Sequence, residues 1–234
     1  VLSGAVMLSF LLVISAFAIF AVVHSLVAGS GLKRWLAGHL GELLVHGWYR
    51  LAYNVFAGIT LLPVLALVAL LPDRTLYSVG LPWSLLMVTL QLVAIVSLAV
   101  SLLMTDIGHF TGISQAVAYL RGQPLPLPEP PLQAKGPYAL VRHPLYTFSL
   151  LAIWLLPLMT VNVLAFNVAA TVYFVAGSLV EERRLERLYG DAYRAYQQDV
   201  AWLIPWPRWR TSAVREPGRE AAVRSGPEMG VRKP

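Results

Sequence analysis

Five long apolar stretches constrain this chain more than any other feature. They run over Gly4–Ala28, Tyr49–Leu71, Trp83–Met104, Leu145–Met159 and Asn162–Val180. A helix needs about 20 apolar residues to cross roughly 30 Å of hydrocarbon, and most of these stretches reach that length. Hydrophobic residues make up 57% of the chain and charged residues 13%, against roughly 25% charged in ordinary soluble domains. Mean hydropathy is +0.65. The fold class expected is an all-α integral membrane protein of about five transmembrane helices, with a C-terminal helical hairpin and a cytoplasmic C-terminal helix. The first stretch lacks a basic leader and stays apolar for a full crossing, so it reads as a retained helix and not as a cleaved signal.

The hairpin is inferred from the last two stretches, which only Thr160 and Val161 separate. Leu145–Met159 is short for a crossing, and Pro157 predicts a kink or an early end. Orientation is read from Lys and Arg in the loops. Lys33, Arg34 and Arg50 lie in the first loop, Arg74 alone in the second, and Arg121, Lys135 and Arg142 in the connector before the hairpin. Arg183, Arg184, Arg187, Arg194, Arg208 and Arg210 follow the last stretch. Five crossings then place the N-terminus outside and the C-terminus in the cytoplasm, as in a bacterial inner membrane.

Between the apolar stretches, "GLKRWLAGHLGELLVHGWYR" suits the membrane interface, and the proline run from Pro124 to Pro131 favours extended backbone. The tail from Thr211 has too little apolar content to fold. The chain is therefore divided into one membrane domain over 1–210 and a disordered tail over 211–234. With no cysteine present, disulfides and thiolate chemistry are excluded. The net charge of +6 is spread over loops and the C-terminal end, which argues for membrane orientation and against a nucleic-acid partner.

The chemistry-bearing residues cluster at one depth. Arg142 and His143 stand where the connector enters the hairpin, and Glu181 and Glu182 stand where the hairpin leaves it. Ionisable groups at the lip of a membrane are costly unless paired or solvated in a cavity, so they mark a functional site by default. Tyr138, Tyr146, Tyr189, Tyr193 and Tyr196 surround the same level. Each residue also has a plainer reading: Arg142 as a membrane anchor, the tyrosines as an interfacial belt, the glutamates as partners of Arg184 or Arg187.

"GPYALVRHPLYT" followed by "EERRLERLYGDAYRAYQQDVAWLIP" resembles the signature of the isoprenylcysteine carboxyl methyltransferase and phospholipid methyltransferase superfamily. The signature spans 135–205, and the chain departs from it at no position. The resemblance implies a membrane methyltransferase that uses S-adenosylmethionine. It implies cofactor binding by Lys135, Gly136, Tyr138, Arg142, His143, Tyr146 and Glu182. Catalytic roles fall to Glu181, Glu182 and Arg142, with His143 a further candidate base. The expected partners are membrane lipids and a small or lipophilic methyl acceptor: a thiol, a carboxylate or a lipid amine.

The N-terminal "FAVVHSLVAGSGLKRW" opens a second reading. Its His24-Ser25 element resembles NnrU-like membrane proteins and a related carotenoid isomerase, in which histidine binds haem. Haem would here need His24 with His143 or His109. The same element resembles bacterial methanethiol S-methyltransferases, so it leaves the readings undivided. No other metal-ligand spacing appears. A third reading is a catalytically silent membrane scaffold.

Overall fold

The computed structural model describes residues 3–205. The tail expected to be disordered, and the boundary drawn at residue 210, lie outside the described residues. Among the described residues, four helices are long and apolar enough to cross a membrane: α1 (Gly4–Ala28), α3 (Glu42–Leu70), α4 (Trp83–Leu103) and α8 (Val161–Tyr189). They confirm an all-α membrane fold. The Ser3 hydroxyl caps α1 by accepting from the Val6 amide. Helix α2 (Ser30–Leu40) is short and sided, with Leu32 and Trp35 exposed beside Lys33 and Arg34. α3 begins seven residues earlier than Tyr49, because "ELLVHGW" continues its helix instead of forming a loop.

Helices α1, α3 and α8 pack together around a core of Phe17, Val64 and Ala170. Phe17 meets Phe166 and Tyr173 edge-on at ring separations of 5.5 and 6.1 Å. Aromatic pairs in this geometry add to the attraction of burial.

The fifth stretch departs from the expected crossing. Helix α7 (Pro144–Trp154) has 11 residues, about 16 Å at 1.5 Å per residue, half a hydrocarbon core. The chain then turns through residues 155–157 into β2 (Leu158–Thr160), which pairs antiparallel with β1 (Thr75–Ser78). Proline explains the break. An amide at position 157 would bond the Ile153 carbonyl in a continuing helix, and Pro157 has none. Asn167 on α8 fills the place, its Nδ2 donating to Ile153 O at 2.6 Å. Gln91 on α4 donates to Ala152 O at 2.7 Å, Tyr77 to Leu156 O and the Val79 amide to Pro157 O. Irregular backbone at membrane depth survives only when its polar groups are satisfied in this way.

The mixed hairpin still returns both of its ends to one level. Residues 155–160 add up to about 20 Å of extended chain to the 16 Å of α7. On the other limb, Val161 to Glu182 spans about 33 Å of helix. Arg142 and Glu182 therefore meet.

Short helices α5 (Ile107–Thr111) and α6 (Ile113–Leu120) close the same end of the bundle. The proline connector lies extended across it. Gln133 Nε2 donates to Met104 O at 2.9 Å, and Tyr189 donates to Pro130 O at 2.7 Å. Glu129 sits 3.6 Å from His109 and 3.7 Å from Arg184. α9 (Asp191–Asp199) folds back beneath α8, with Tyr193 and Tyr196 buried against Val200.

Candidate functional site

The connector enters the site through a single 3-10 turn, Gly136–Ala139. Gly136 has φ +59, and a Cβ there would lie 2.5 Å from the Met104 sulfur. Both the conformation and the space require glycine. Tyr138 follows, half-buried. Burial, and next the charge of Glu181, push its phenol up to about 12. Its backbone carbonyl accepts from the Tyr196 hydroxyl.

Downstream, Val141 bridges Ala201, and the Arg142 amide donates to Ala201 O at 2.8 Å. The Thr147 hydroxyl donates to Leu203 O at 2.7 Å. The segment 200–203 is thereby laid against the start of α7. Arg142 projects from this junction onto Glu182. Its Nε donates to Glu182 Oε1 at 2.9 Å and its Nη2 to Oε2 at 3.0 Å, while Nη1 donates to Val200 O and Gln197 O at 2.7 and 3.2 Å. His143, buried, places Nε2 2.7 Å from Glu182 Oε1. Tyr193 donates to the same oxygen at 2.8 Å, and Gln197 Nε2 to Oε2 at 2.6 Å.

Glu182 thus holds five contacts, from α7's entry and from α9, with 12% of its side chain exposed. Such a charge-assisted, bidentate arrangement is among the stronger polar contacts available. Tyr193 is pushed up by burial first and by its bond to Glu182 second, so it remains a donor at neutral pH. Arg142 and Glu182 chiefly satisfy each other and tie three segments together.

Glu181 differs. One residue further round α8 is about 100°, and its carboxylate is 41% exposed. His143 Nδ1 approaches Glu181 Oε2 at 3.5 Å, and Tyr146 shares a side-chain hydrogen bond with it. The imidazole of His143 therefore stands between both carboxylates. Tyr146 stacks on His143 at 5.7 Å and on Phe174 at 5.3 Å. On the Glu182 side, a cavity of about 360 Å³ is lined by Arg142, Glu182, Arg183, Glu186, Gln197 and Trp202.

Of the sequence candidates, Gly136, Tyr138, Arg142, His143, Tyr146, Glu181 and Glu182 come together here. Lys135 is exposed, its backbone amide bonded to Gln133 Oε1. The histidines of the haem reading are not paired. His24 has Phe20, Tyr53 and Tyr173 as its ring neighbours, His143 faces the two glutamates, and buried His109 lies by Glu129. Among the described residues no three His, Asp or Glu side chains gather as a metal set. Sequence reasoning missed Gln197 and the segment Val200–Leu203, whose signal is only the "QQDVAWL" that follows the charged helix.

The fold and this junction define a helical membrane protein whose polar site is built at the root of the hairpin of α7 and α8. The phospholipid methyltransferase family profile matches residues 83–192. Methanethiol S-methyltransferase 1 of Bradyrhizobium diazoefficiens is 32% identical over 194 residues, 82% of this chain and 65% of the relative. The protein of that name from Mycobacterium tuberculosis is 31% identical over 196 residues, 82% and 77% respectively. That from Pseudomonas sp. strain GM41(2012) is 35% identical over 197 residues, 80% and 70%. This chain spans just under two thirds of the Bradyrhizobium relative's length. No solved structure matches it significantly. The chain belongs to the isoprenylcysteine carboxyl methyltransferase and phospholipid methyltransferase superfamily of membrane proteins.

Proposed function

We propose that the protein is a membrane methyltransferase that takes its methyl group from S-adenosylmethionine and places it on a small or lipophilic acceptor, a small thiol first among the candidates. The observation that carries this reading is Glu181. It offers a half-exposed carboxylate, contacted on Oε2 by His143, with the phenols of Tyr138 and Tyr146 close by. That donor set fits a ligand with an ammonium, hydroxyls and a flat base. The names of the relatives supply the thiol; a lipid amine and a carboxylate remain as the other acceptor classes.

Bound there, S-adenosylmethionine would supply an electrophilic methyl on a sulfonium, leaving as S-adenosylhomocysteine once the methyl is displaced. The residues of the chain do the rest. Glu181 holds the cationic amino-acid end, and His143 bridges it to the frame. Arg142 and Glu182 keep α7, α8 and α9 in register, so that alignment and exclusion of water, which carry much of a displacement reaction, are preset. We place this end of the bundle at the cytoplasmic face, on the strength of Lys33, Arg34, Arg121, Lys135, Arg183, Arg184 and Arg187.

The test is calorimetric titration of detergent-purified protein with S-adenosylhomocysteine, after recording its visible spectrum. Saturable binding by a colourless protein followed by methylation of methanethiol supports the proposal. A haem absorption band without binding would turn the reading to His24, and neither binding nor colour would turn it to a silent scaffold. Binding with transfer only to an isoprenoid acid or phospholipid would move the acceptor and leave the donor.

A further inference from the structure

His24 lies outside the signature, near the end of α1, yet the fold connects it to the site. Its ring is 5.8 Å from Tyr173. Tyr173 is 6.4 Å from Phe174, Phe174 is 5.3 Å from Tyr146, and Tyr146 is 5.7 Å from His143. A continuous run of rings thus leads from the glutamate junction into the bundle. Along α8 the distance from Glu181 to Tyr173 is eight residues, about 12 Å.

At the inner end, His24 Nε2 is hydrogen-bonded to the Tyr53 hydroxyl, the two rings being 4.9 Å apart. His24 Nδ1 is buried and has no hydrogen-bond partner. A buried polar atom without a partner costs stability and calls for an explanation. The ionisable groups around it are Tyr49 and Tyr53 from α3 and Tyr173 from α8, the last bonded to Ser25. Phe17 and Phe20 complete an apolar wall. The surroundings favour a small, weakly polar molecule carrying one proton to give away.

We propose that His24 is the base that takes the S–H proton of a small thiol acceptor, with Tyr53 as the positioning residue that orients its ring. The inference rests on the thiol methyltransferase reading above. A thiol is a poor nucleophile until it becomes a thiolate, and apolar surroundings disfavour that ionisation further. A base among these rings resolves the conflict. In this arrangement Nε2 carries the imidazole hydrogen and donates it to the Tyr53 oxygen, which leaves the Nδ1 lone pair directed at the acceptor. The S–H bond breaks, its proton passing to Nδ1 and its electron pair staying on sulfur. That sulfur forms the new S–CH3 bond as the sulfonium S–CH3 bond breaks, its pair remaining on the cofactor's sulfur. Histidine then returns the proton to solvent when the thioether leaves.

The experiment compares wild type, His24→Gln and Tyr53→Phe with two acceptors: methanethiol, protonated at neutral pH, and an acidic aromatic thiol that is already ionised. S-adenosylhomocysteine titration serves as an activity-independent check on the fold and the cofactor end, and is expected to be unchanged in both variants. With methanethiol at pH 7, His24→Gln should lose about 10²–10⁴-fold in kcat, and its rate should climb with pH as the thiol ionises unaided. With the ionised thiol it should stay within about tenfold of wild type. Tyr53→Phe should show the same acceptor-dependent split at smaller size, and carries the comparison alone if His24→Gln does not fold. Equal losses with both thiols, or none, would overturn the role of His24 while leaving the methyltransferase reading intact. A wild type that binds S-adenosylhomocysteine and methylates no thiol would overturn the thiol acceptor together with the role of His24, and leave the donor.

Discussion

Asn167 Nδ2 donates to the Ile153 carbonyl at 2.6 Å, supplying from a neighbouring helix the hydrogen bond that Pro157 cannot make. The hairpin depends on this substitution of a side chain for a backbone amide. Asn167→Leu keeps the size and removes the donor, so a buried carbonyl is left bare at a cost of about 1–3 kcal/mol. A lowered melting temperature in detergent is the expected result, with S-adenosylhomocysteine affinity reduced less than stability. An unchanged melting temperature would show that α7 ends without help from α8.

The two glutamates should separate cleanly. Glu182→Gln forfeits the ion pair with Arg142, and breaking a buried pair costs about 3–5 kcal/mol, so stability falls first. Glu181→Gln should leave the melting temperature near wild type and weaken S-adenosylhomocysteine binding by roughly tenfold or more, the loss of one charge-assisted contact. The reverse pattern would exchange the roles of the two residues.

Tyr193→Phe removes one donor from Glu182 and keeps the ring. The expected cost is about 1.5–3 kcal/mol, as for hydrogen bonds to charged groups. The folded phenol titrates above its ordinary value of 10.0. Its contribution is therefore complete below pH 10 and fades only as pH rises from there through the folded value. The difference in melting temperature between wild type and variant should stay flat from pH 6 to 9. A difference that shrinks across that range would exclude Tyr193 as the donor.

Gly136→Ala meets two obstacles, the left-handed backbone and the Met104 sulfur. Adding Met104→Ala should relieve the second and leave the first, about 1–2 kcal/mol. Thermal denaturation of the single and double variants tests this. Full recovery in the double variant would show that the conformation itself carries no cost.

Orientation is tested with reporters fused after residue 205 and before residue 3. Activity of a cytoplasm-dependent reporter at the C-terminal position, and its absence at the N-terminal one, is the expected result. The opposite pattern would put the glutamate junction on the outer face.

Much of this arrangement was legible beforehand because apolar length and motif spacing are properties of contiguous residues. The four long helices follow from composition, and the meeting of Arg142 with Glu182 follows from a hairpin. The α7 break was only half legible. Pro157 announced an end to the helix, but the pairing of Leu158–Thr160 with Thr75–Ser78 joins segments some 80 residues apart. Asn167 and Gln91 stand out as amides within apolar helices, though nothing local names the carbonyls they serve. The five contacts on Glu182 were hidden for the same reason. Gln197 and Tyr193 reach it only after α9 has folded back. Tyr53, the partner of His24, lay on another helix in an unknown register.

The two limbs of the terminal hairpin measure the same depth with different scales. Beside α8, which advances about 1.5 Å per residue throughout, stands a limb that changes to about 3.3 Å per residue in Leu158–Thr160. A residue inserted within Leu158–Thr160 would slide Arg142 past Glu182 by more than twice the distance caused by one inserted within α8. Length variation in this protein is thus graded by place: the short extended piece at the far end of the bundle sets the alignment of the site like the coarse screw of an instrument, and the long helix acts as the fine one.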